Sequence, residues 1–524
     1  MNRILCRIPV WIVTVLIVVC LTLSVFSQTI QTAHERSNFE QYTSYEEMMQ
    51  YLQEIQASSK EMLLGMFGRS IEGREQPYAI FSRPMITQPW EAQWTGKPII
   101  LIYANVHGGE KTLRESVMLL IRELATDDTE MNRMLDNMIV ITAPSVNLDG
   151  FERSTRGNAR GLDLNRDYMK LETQETRNLV QNLILTWRPH ISVDGHNGGS
   201  YPYNITYQAN SHATPDQRIT EHCDFEIFPY IDKALEEKGY RSFWYSGGDS
   251  TSWTGGGYDP RISRNYAALI NNVGILLESP RQDMRTAALC GLETFKAILS
   301  FAVERKDRLY EVVNRARTET IEMGQKADGD IPVQMEYGPE DWKVSYDIAI
   351  GPRDDQKLVT ITGADLVKKP VILKTRKRPY AYILEPRAEK TVEMLKRQKI
   401  LIEVLQEDTE IDVEAYELLG VEYNSEYDHP AAVTVQLADE TIKMTQTFPK
   451  GSYVIRTGQL MGRVATHLLE PETNDSAVHW NMMNAILPRT GQRNTRGNTQ
   501  RRVPIVPIFK LMVPHSLPTK VLHY

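Results

Sequence analysis

Cysteine is scarce in this chain, with four in 524 residues, and no two are spaced as a cysteine metal site requires. Cys6 and Cys20 fall in an N-terminal leader, so only Cys223 and Cys290 remain for the body. A disulfide framework is excluded, and one bridge or two free thiols stay open. Any bound metal must therefore be held by histidine and carboxylate. Basic charge is also short, with 59 Lys and Arg against 67 Asp and Glu, a net charge of −8. That balance argues against nucleic acid as a partner, because such binders carry a clustered basic surface. The chain has no internal repeat.

What is present begins with targeting. Arg3 and Arg7 precede an apolar stretch from Pro9 to Phe26, with a cut expected after Ser27. Residues 1–27 read as a signal peptide of a secreted or periplasmic protein; a membrane is a partner only if the segment is retained as an anchor. Val18-Val19-Cys20 lacks the small residue expected before a lipid-modified cysteine. Residues 28–44 are polar and read as a linker.

From 45 to 329, short apolar runs alternate with amphipathic stretches. Ile99–Tyr103, Met138–Thr142, Ile191–Val193 and Gly274–Leu277 are expected strands, with helical patterns between them. This alternation implies an α/β fold with a mixed, largely parallel central sheet flanked by helices, and ligands at the carboxyl ends of its strands. Residues 330–524 read as a smaller mixed α/β accessory region: short strand-like runs over Val333–Leu373, then a β-α-β pattern through Tyr380–Leu384, Ala388–Gln398 and Leu401–Leu405. Gly491–Arg502 is polar and basic, and reads as a loop.

The chemistry-bearing residues gather where those strands end. The first expected strand runs into His107-Gly108-Gly109-Glu110. There an imidazole and a carboxylate can converge on one ion, and the glycines permit the tight backbone. His196 closes another expected strand, in Asp194-Gly195-His196. Two His and one Glu with an open fourth position form the ligand set of catalytic zinc. Glu278 ends the apolar run Val273–Leu277, and a carboxylate there is costly unless it has a partner or a task. Beside an activated water it can serve as general base.

These pieces, with others in the same order, resemble the M14 zinc carboxypeptidase family (carboxypeptidase A-like, or funnelin). The resemblance is carried by Gly68-Arg69-Ser70-Ile71-Glu72-Gly73-Arg74, His107-x-x-Glu110, Asn147-Leu148-Asp149-Gly150, Thr155-Arg156-Gly157-Asn158, Asp163-Leu164-Asn165-Arg166, His196 and Glu278. It implies one zinc ion on His107, Glu110 and His196. It also implies that Asn165 and Arg166 hold a substrate's terminal carboxylate, and that Arg156 stabilises the oxyanion, with Arg153 and Arg160 as nearby competitors. The family's mobile substrate-capping tyrosine corresponds to Tyr258 in a glycine-rich stretch, or to Tyr266. Arg261 and Arg264 read as surface charges, although in the cleft they would suit an acidic substrate group. The implied activity is hydrolysis of a peptide or amide bond next to a free C-terminal carboxylate. Cell-wall peptides or N-acyl amino acids on the same zinc site remain open, as does a non-catalytic carboxylate binder.

Overall fold

The computed structural model describes residues 30–351, 356–488 and 503–523. The leader and the Gly491–Arg502 segment lie outside the described residues. The central sheet has eight strands, in the order Met62–Arg69, Glu75–Phe81, Ile139–Ala143, Ile99–Ala104, Ile191–His196, Val273–Glu278, Ile205–Gln208, Ser242–Trp244. The four in the middle run parallel, while Glu75–Phe81 and Ile205–Gln208 pair antiparallel with the outer two of those four. The sheet is thus mixed with a parallel centre, as the sequence pattern implies.

Period-two alternation divides its side chains between two cores. Ile100, Ile102, Val140, Val193, Ile275 and Leu277 face a cluster that includes the helices Thr112–Ala125 and Met284–Glu304. Ile99, Leu101, Tyr103, Ile139 and Ile141 face the other cluster. All eleven residues are essentially solvent-free, each contributing about 1.5–3 kcal/mol of burial for its larger side chains. Covered on both faces, these strands read as continuous apolar runs rather than alternating ones.

The second core does not stop at the edge of the first region. Leu164, Tyr168 and Tyr266 share it with Tyr382, Leu395, Tyr416, Trp480 and Ile508. Gln398 is fully buried at this junction; it accepts a hydrogen bond from the Tyr266 hydroxyl (2.6 Å) and donates to the Tyr168 and Met169 carbonyls (2.8 and 3.0 Å).

The region after 330 is more regular than its sequence suggests. Instead of several short runs, Asp330–Ile350 and Lys357–Lys377 are two 21-residue antiparallel strands with repeated register shifts. Those bulges carry the irregular spacing that mimics turns in sequence. This hairpin extends a sheet with Ser252–Thr254 and Gly247–Gly248. A third, antiparallel sheet has the order His429–Leu437, Thr409–Glu426, Ile505–Leu511, Ala381–Leu384, Tyr453–Arg456, Glu403–Leu405, Thr519–Val521. The expected β-α-β unit around the helix Glu389–Arg397 is present but split, because Tyr453–Arg456 inserts between its two strands.

Residues 30–44, read as a linker, are docked on the first region. Thr32 and Glu35 form a capping box on the short helix Ala33–Arg36, and Glu35 pairs with Arg122. The Thr43 amide and hydroxyl both donate to Glu115 (2.9 and 2.8 Å). Cys223 and Cys290 are both buried and free.

Candidate metal and catalytic site

Four parallel strands deliver their carboxyl ends to one edge of the sheet, and the register there aligns the site. Glu278 lies opposite His196, and Ala104 opposite Gly195. Past Ala104 the chain turns through Asn105, whose φ of 58° is left-handed, a conformation asparagine tolerates. Its side-chain amide donates to the carbonyls of His107, Gly108 and Glu110 (2.9–3.0 Å), winding the loop around itself. Gly108 is required by packing: a Cβ there would lie 2.0 Å from the carbonyl carbon of Gly150. That close approach lets Gly109 N–H donate to the Thr155 carbonyl (2.8 Å), which brings the Thr155-Arg156 segment against the His107–Glu110 loop.

The surrounding motifs are scaffold. Asn147 caps the helix Leu148–Arg153 by accepting from Gly150 N–H, and donates to the Val106 and Arg156 carbonyls (3.1 and 3.2 Å). Asp149 is the anchor for Ser70-Ile71-Glu72-Gly73-Arg74: it accepts from the Ser70 hydroxyl (2.7 Å), the Glu72 amide (3.0 Å) and the Arg74 guanidinium (2.7 Å).

His107, Glu110 and His196 place one ligand atom each within 4.8 Å of one another. The Nδ1 atoms of the two imidazoles are 3.1 Å apart and lie 2.9 and 2.8 Å from the two Glu110 carboxylate oxygens. Their Nε2 atoms point away, each to a buried carboxylate: Asp163 Oδ1 at 3.0 Å for His107 and Asp194 Oδ2 at 2.8 Å for His196. With the Nε2 hydrogens donated to those carboxylates, both Nδ1 lone pairs and Glu110 converge on one point. Such a set of acceptors fits a cation, and carboxylates behind ligating histidines are the usual means of fixing their tautomer. Burial alone would raise the Glu110 pKa and lower that of His196. Contacts outweigh burial in each case: His107 and His196 hold Glu110 well below the usual range, and Asp194 and Glu110 hold His196 well above it.

Glu278 is 7% exposed, and burial pushes its carboxyl up to about 7. Room for it is left by Gly198, where a Cβ would come within 2.5 Å of Glu278 Oε2. Arg156 donates from Nε to Asp163 Oδ2 (2.9 Å) and lies 3.4 Å from Glu110 Oε1. Its competitors point elsewhere: Arg153 pairs with Glu72, and Arg160 is exposed. Asn165 and Arg166 sit in a short turn closed by Asp163, whose Oδ1 accepts the Asn165 amide (2.8 Å). Tyr266 is fully enclosed, so it is not free to cap a substrate, whereas Tyr258 lies on the glycine-rich loop, edge-on to Tyr337 at 4.9 Å.

Three contributors carried no signal in the sequence. Tyr245 is half-buried, and burial together with the nearby Glu278 raises its hydroxyl to about 12. The other two come from the turn after Thr409–Glu426. Tyr427 places its ring 5.9 Å from the Arg166 guanidinium, and Asp428 accepts a hydrogen bond from the Asp163 amide. The adjacent Glu426 lies 3.4 Å from Arg261, which also pairs with Asp475 and so is committed to the second region rather than to the cleft.

Comparison with known proteins identifies part of the first region. Residues 48–241 match the family model described as zinc carboxypeptidase, Peptidase M14. This stretch is a zinc carboxypeptidase domain of the M14 family. Over 436 residues, the chain is 26% identical to Carboxypeptidase 2 of Trichophyton rubrum, covering 78% of each chain. Carboxypeptidase D of Homo sapiens is 27% identical over 251 residues, 37% of this chain and 17% of that one. Among solved structures, a metallo-carboxypeptidase from Burkholderia cenocepacia is 21% identical with a TM-score of 0.41, covering 50% of this chain and 69% of that one.

Proposed function

We propose that this protein is a zinc-dependent carboxypeptidase that hydrolyses the bond preceding a C-terminal residue with a free carboxylate. The observation that carries this reading is the convergence of His107, Glu110 and His196 on one point beside Glu278, a carboxyl that burial brings to about 7. A zinc ion on that triad would supply a Lewis acid to the scissile carbonyl and to the attacking water.

The chain's own groups do the rest. Arg166 and Asn165 hold the terminal carboxylate of the substrate, the planar guanidinium matching it in bidentate fashion. This fixes which bond reaches the reacting position. Glu278 takes the proton of the attacking water and passes it to the departing amine; a carboxyl titrating near 7 is suited to both transfers. Arg156 stands where negative charge develops on the carbonyl oxygen, kept in place by Asp163. Tyr258, on its glycine-rich loop, covers the bound residue, with Tyr245 on the inner wall.

Residues 45–329 form the catalytic domain, and 330–524 complete its second core and one rim of its cleft. The basic-then-apolar leader supports action outside the cytoplasm, in the periplasm or after secretion. The test is release of terminal residues from a mixed peptide library by wild type and Glu278→Gln, each assayed for zinc. Trimming by wild type alone, with zinc in both, is the expected result. A wild type that binds no zinc overturns the proposal.

A further inference from the structure

Among the buried cations that the catalytic scheme does not use, one lies beside the candidate site. Arg264, in the helix Ser263–Leu269, is 3% exposed. Enclosing a guanidinium without a counter-charge is expensive, and proteins normally pair it. Arg114, Arg261, Lys368, Arg376 and Lys510, equally enclosed, each have a carboxylate within salt-bridge distance. Arg378 and Lys170 are enclosed without one among the described residues, but Arg378 is held by the Asp328 carbonyl and Lys170 lies over the Trp480 ring. Arg264 has none among the described residues. Its Nε donates to the Ala209 carbonyl (3.0 Å) and its Nη2 to the Gly257 carbonyl, while Nη1 has no partner among the described residues. Nη1 is also not one of the fully enclosed orphan atoms, so it keeps some access to solvent.

Its surroundings are those of the site. The neighbouring Ser263 amide donates to Asn165 Oδ1 (2.8 Å). The Arg264 carbonyl packs against the strand that ends in Glu278, so closely that a Cβ on Gly274 would lie 2.4 Å from it. Gly257, which Arg264 holds, immediately precedes Tyr258. Burial lowers the Arg264 pKa; Tyr337, Tyr245 and Glu278 oppose this, and Arg166 adds to it. The guanidinium therefore lies within the field of both the proposed base and the proposed carboxylate-binding arginine. At Gly256 the loop it supports is held by neutral groups: Gln208 accepts the Gly256 amide (2.7 Å), and the Tyr337 hydroxyl donates to the Gly256 carbonyl.

We propose that Arg264 lines the pocket for the side chain of the terminal residue, and that the enzyme selects peptides ending in glutamate or aspartate. This rests on the carboxypeptidase reading. An acidic terminal residue carries two carboxylates, and the cleft offers two arginines without a carboxylate partner among the described residues, Arg166 for one and Arg264 for the other. The carbonyl contacts from Nε and Nη2 fix the guanidinium plane and leave Nη1 for the ligand.

The experiment uses the zinc-loaded full chain and acetylated peptides Ac-Ala-Ala-Phe-X, where X is Glu, Asp, Gln, Leu or Lys, with released X quantified. The expected kcat/KM for Glu or Asp ends exceeds that for Gln by about 10- to 100-fold, the scale of one charged hydrogen bond. The effect lies mainly in KM. In Arg264→Gln the Glu-to-Gln ratio falls toward one, and Arg264→Lys restores part of it. Equal turnover of Glu and Gln ends by the wild type overturns the role of Arg264 and leaves the carboxypeptidase reading intact. Release of no residue from any peptide overturns both. The deciding comparison is made on the wild type, so a variant that fails to fold does not blunt it.

Discussion

Asp428 accepts a hydrogen bond from the backbone amide of Asp163, a residue 265 positions earlier in the chain. Asp163 in turn holds His107 through one oxygen and Arg156 through the other. A turn of the second region thus steadies the carboxylate that orients one proposed metal ligand. Asp428→Ala is expected to lower zinc affinity and kcat/KM by about tenfold, the smaller end of effects for groups behind metal ligands. Zinc titration and steady-state kinetics on the folded variant check this; unchanged values for both would show that Asp163 needs no such support.

As the proposed general base, Glu278 is expected to govern the pH dependence. Burial raises its pKa to about 7, and it must be ionised to accept a proton. Activity therefore rises with pH through the acid limb, which falls at or below about 7, since a cation on the triad favours the ionised form. Glu278→Gln is expected to lose the limb and about 10²- to 10⁴-fold in kcat while retaining zinc. A profile of kcat/KM from pH 4 to 9, with metal content measured at each end, decides the matter.

Asp194 backs His196 at 2.8 Å and also accepts the Ser263 hydroxyl. Asp194→Asn keeps the shape but replaces the carboxylate. Zinc affinity is expected to fall by about 10- to 100-fold, more than for Asp428→Ala because the contact is direct. Competition with a chelator gives the number.

Gln398 links the two regions through three hydrogen bonds at a fully buried position. Gln398→Ala leaves the Tyr266 hydroxyl and two carbonyls without partners, each costing about 1–3 kcal/mol. A loss of at least about 3 kcal/mol in unfolding free energy is expected, with a single transition by denaturant when followed by both tryptophan fluorescence and activity. Two separated transitions would mean that the regions unfold independently.

Much of the fold and site is legible in the sequence because it is local. Ile99–Ala104 is apolar without interruption, and His107-x-x-Glu110 follows shortly after it, so spacing marks both the strand and a candidate ligand pair. His196 and Glu278 stand out as candidates because each closes an apolar run. Asp163, Asp194 and Asn165 fall within the family's motifs or beside them. What escapes depends on contacts between distant segments. Tyr427-Asp428 looks like an ordinary hairpin turn, and nothing in it specifies that the turn meets Asp163. Arg264 resembles any surface charge in a helical stretch until its burial and lack of a carboxylate are seen. The long hairpin Asp330–Lys377 reads as short runs because each register shift breaks the alternation on which strand length is judged.

The strand Ile505–Leu511 lies inside the third sheet, between Thr409–Glu426 and Ala381–Leu384, rather than at its edge. Until the ribosome has passed residue 511, those two neighbours have a gap where their partner belongs, and unpaired edges are sticky. The face of the catalytic sheet that shares their core waits as well. Emergence of the chain therefore sets a schedule in which the third sheet can close only after residue 511 is free, and a product stalled before that point is left with an open seam between Thr409–Glu426 and Ala381–Leu384.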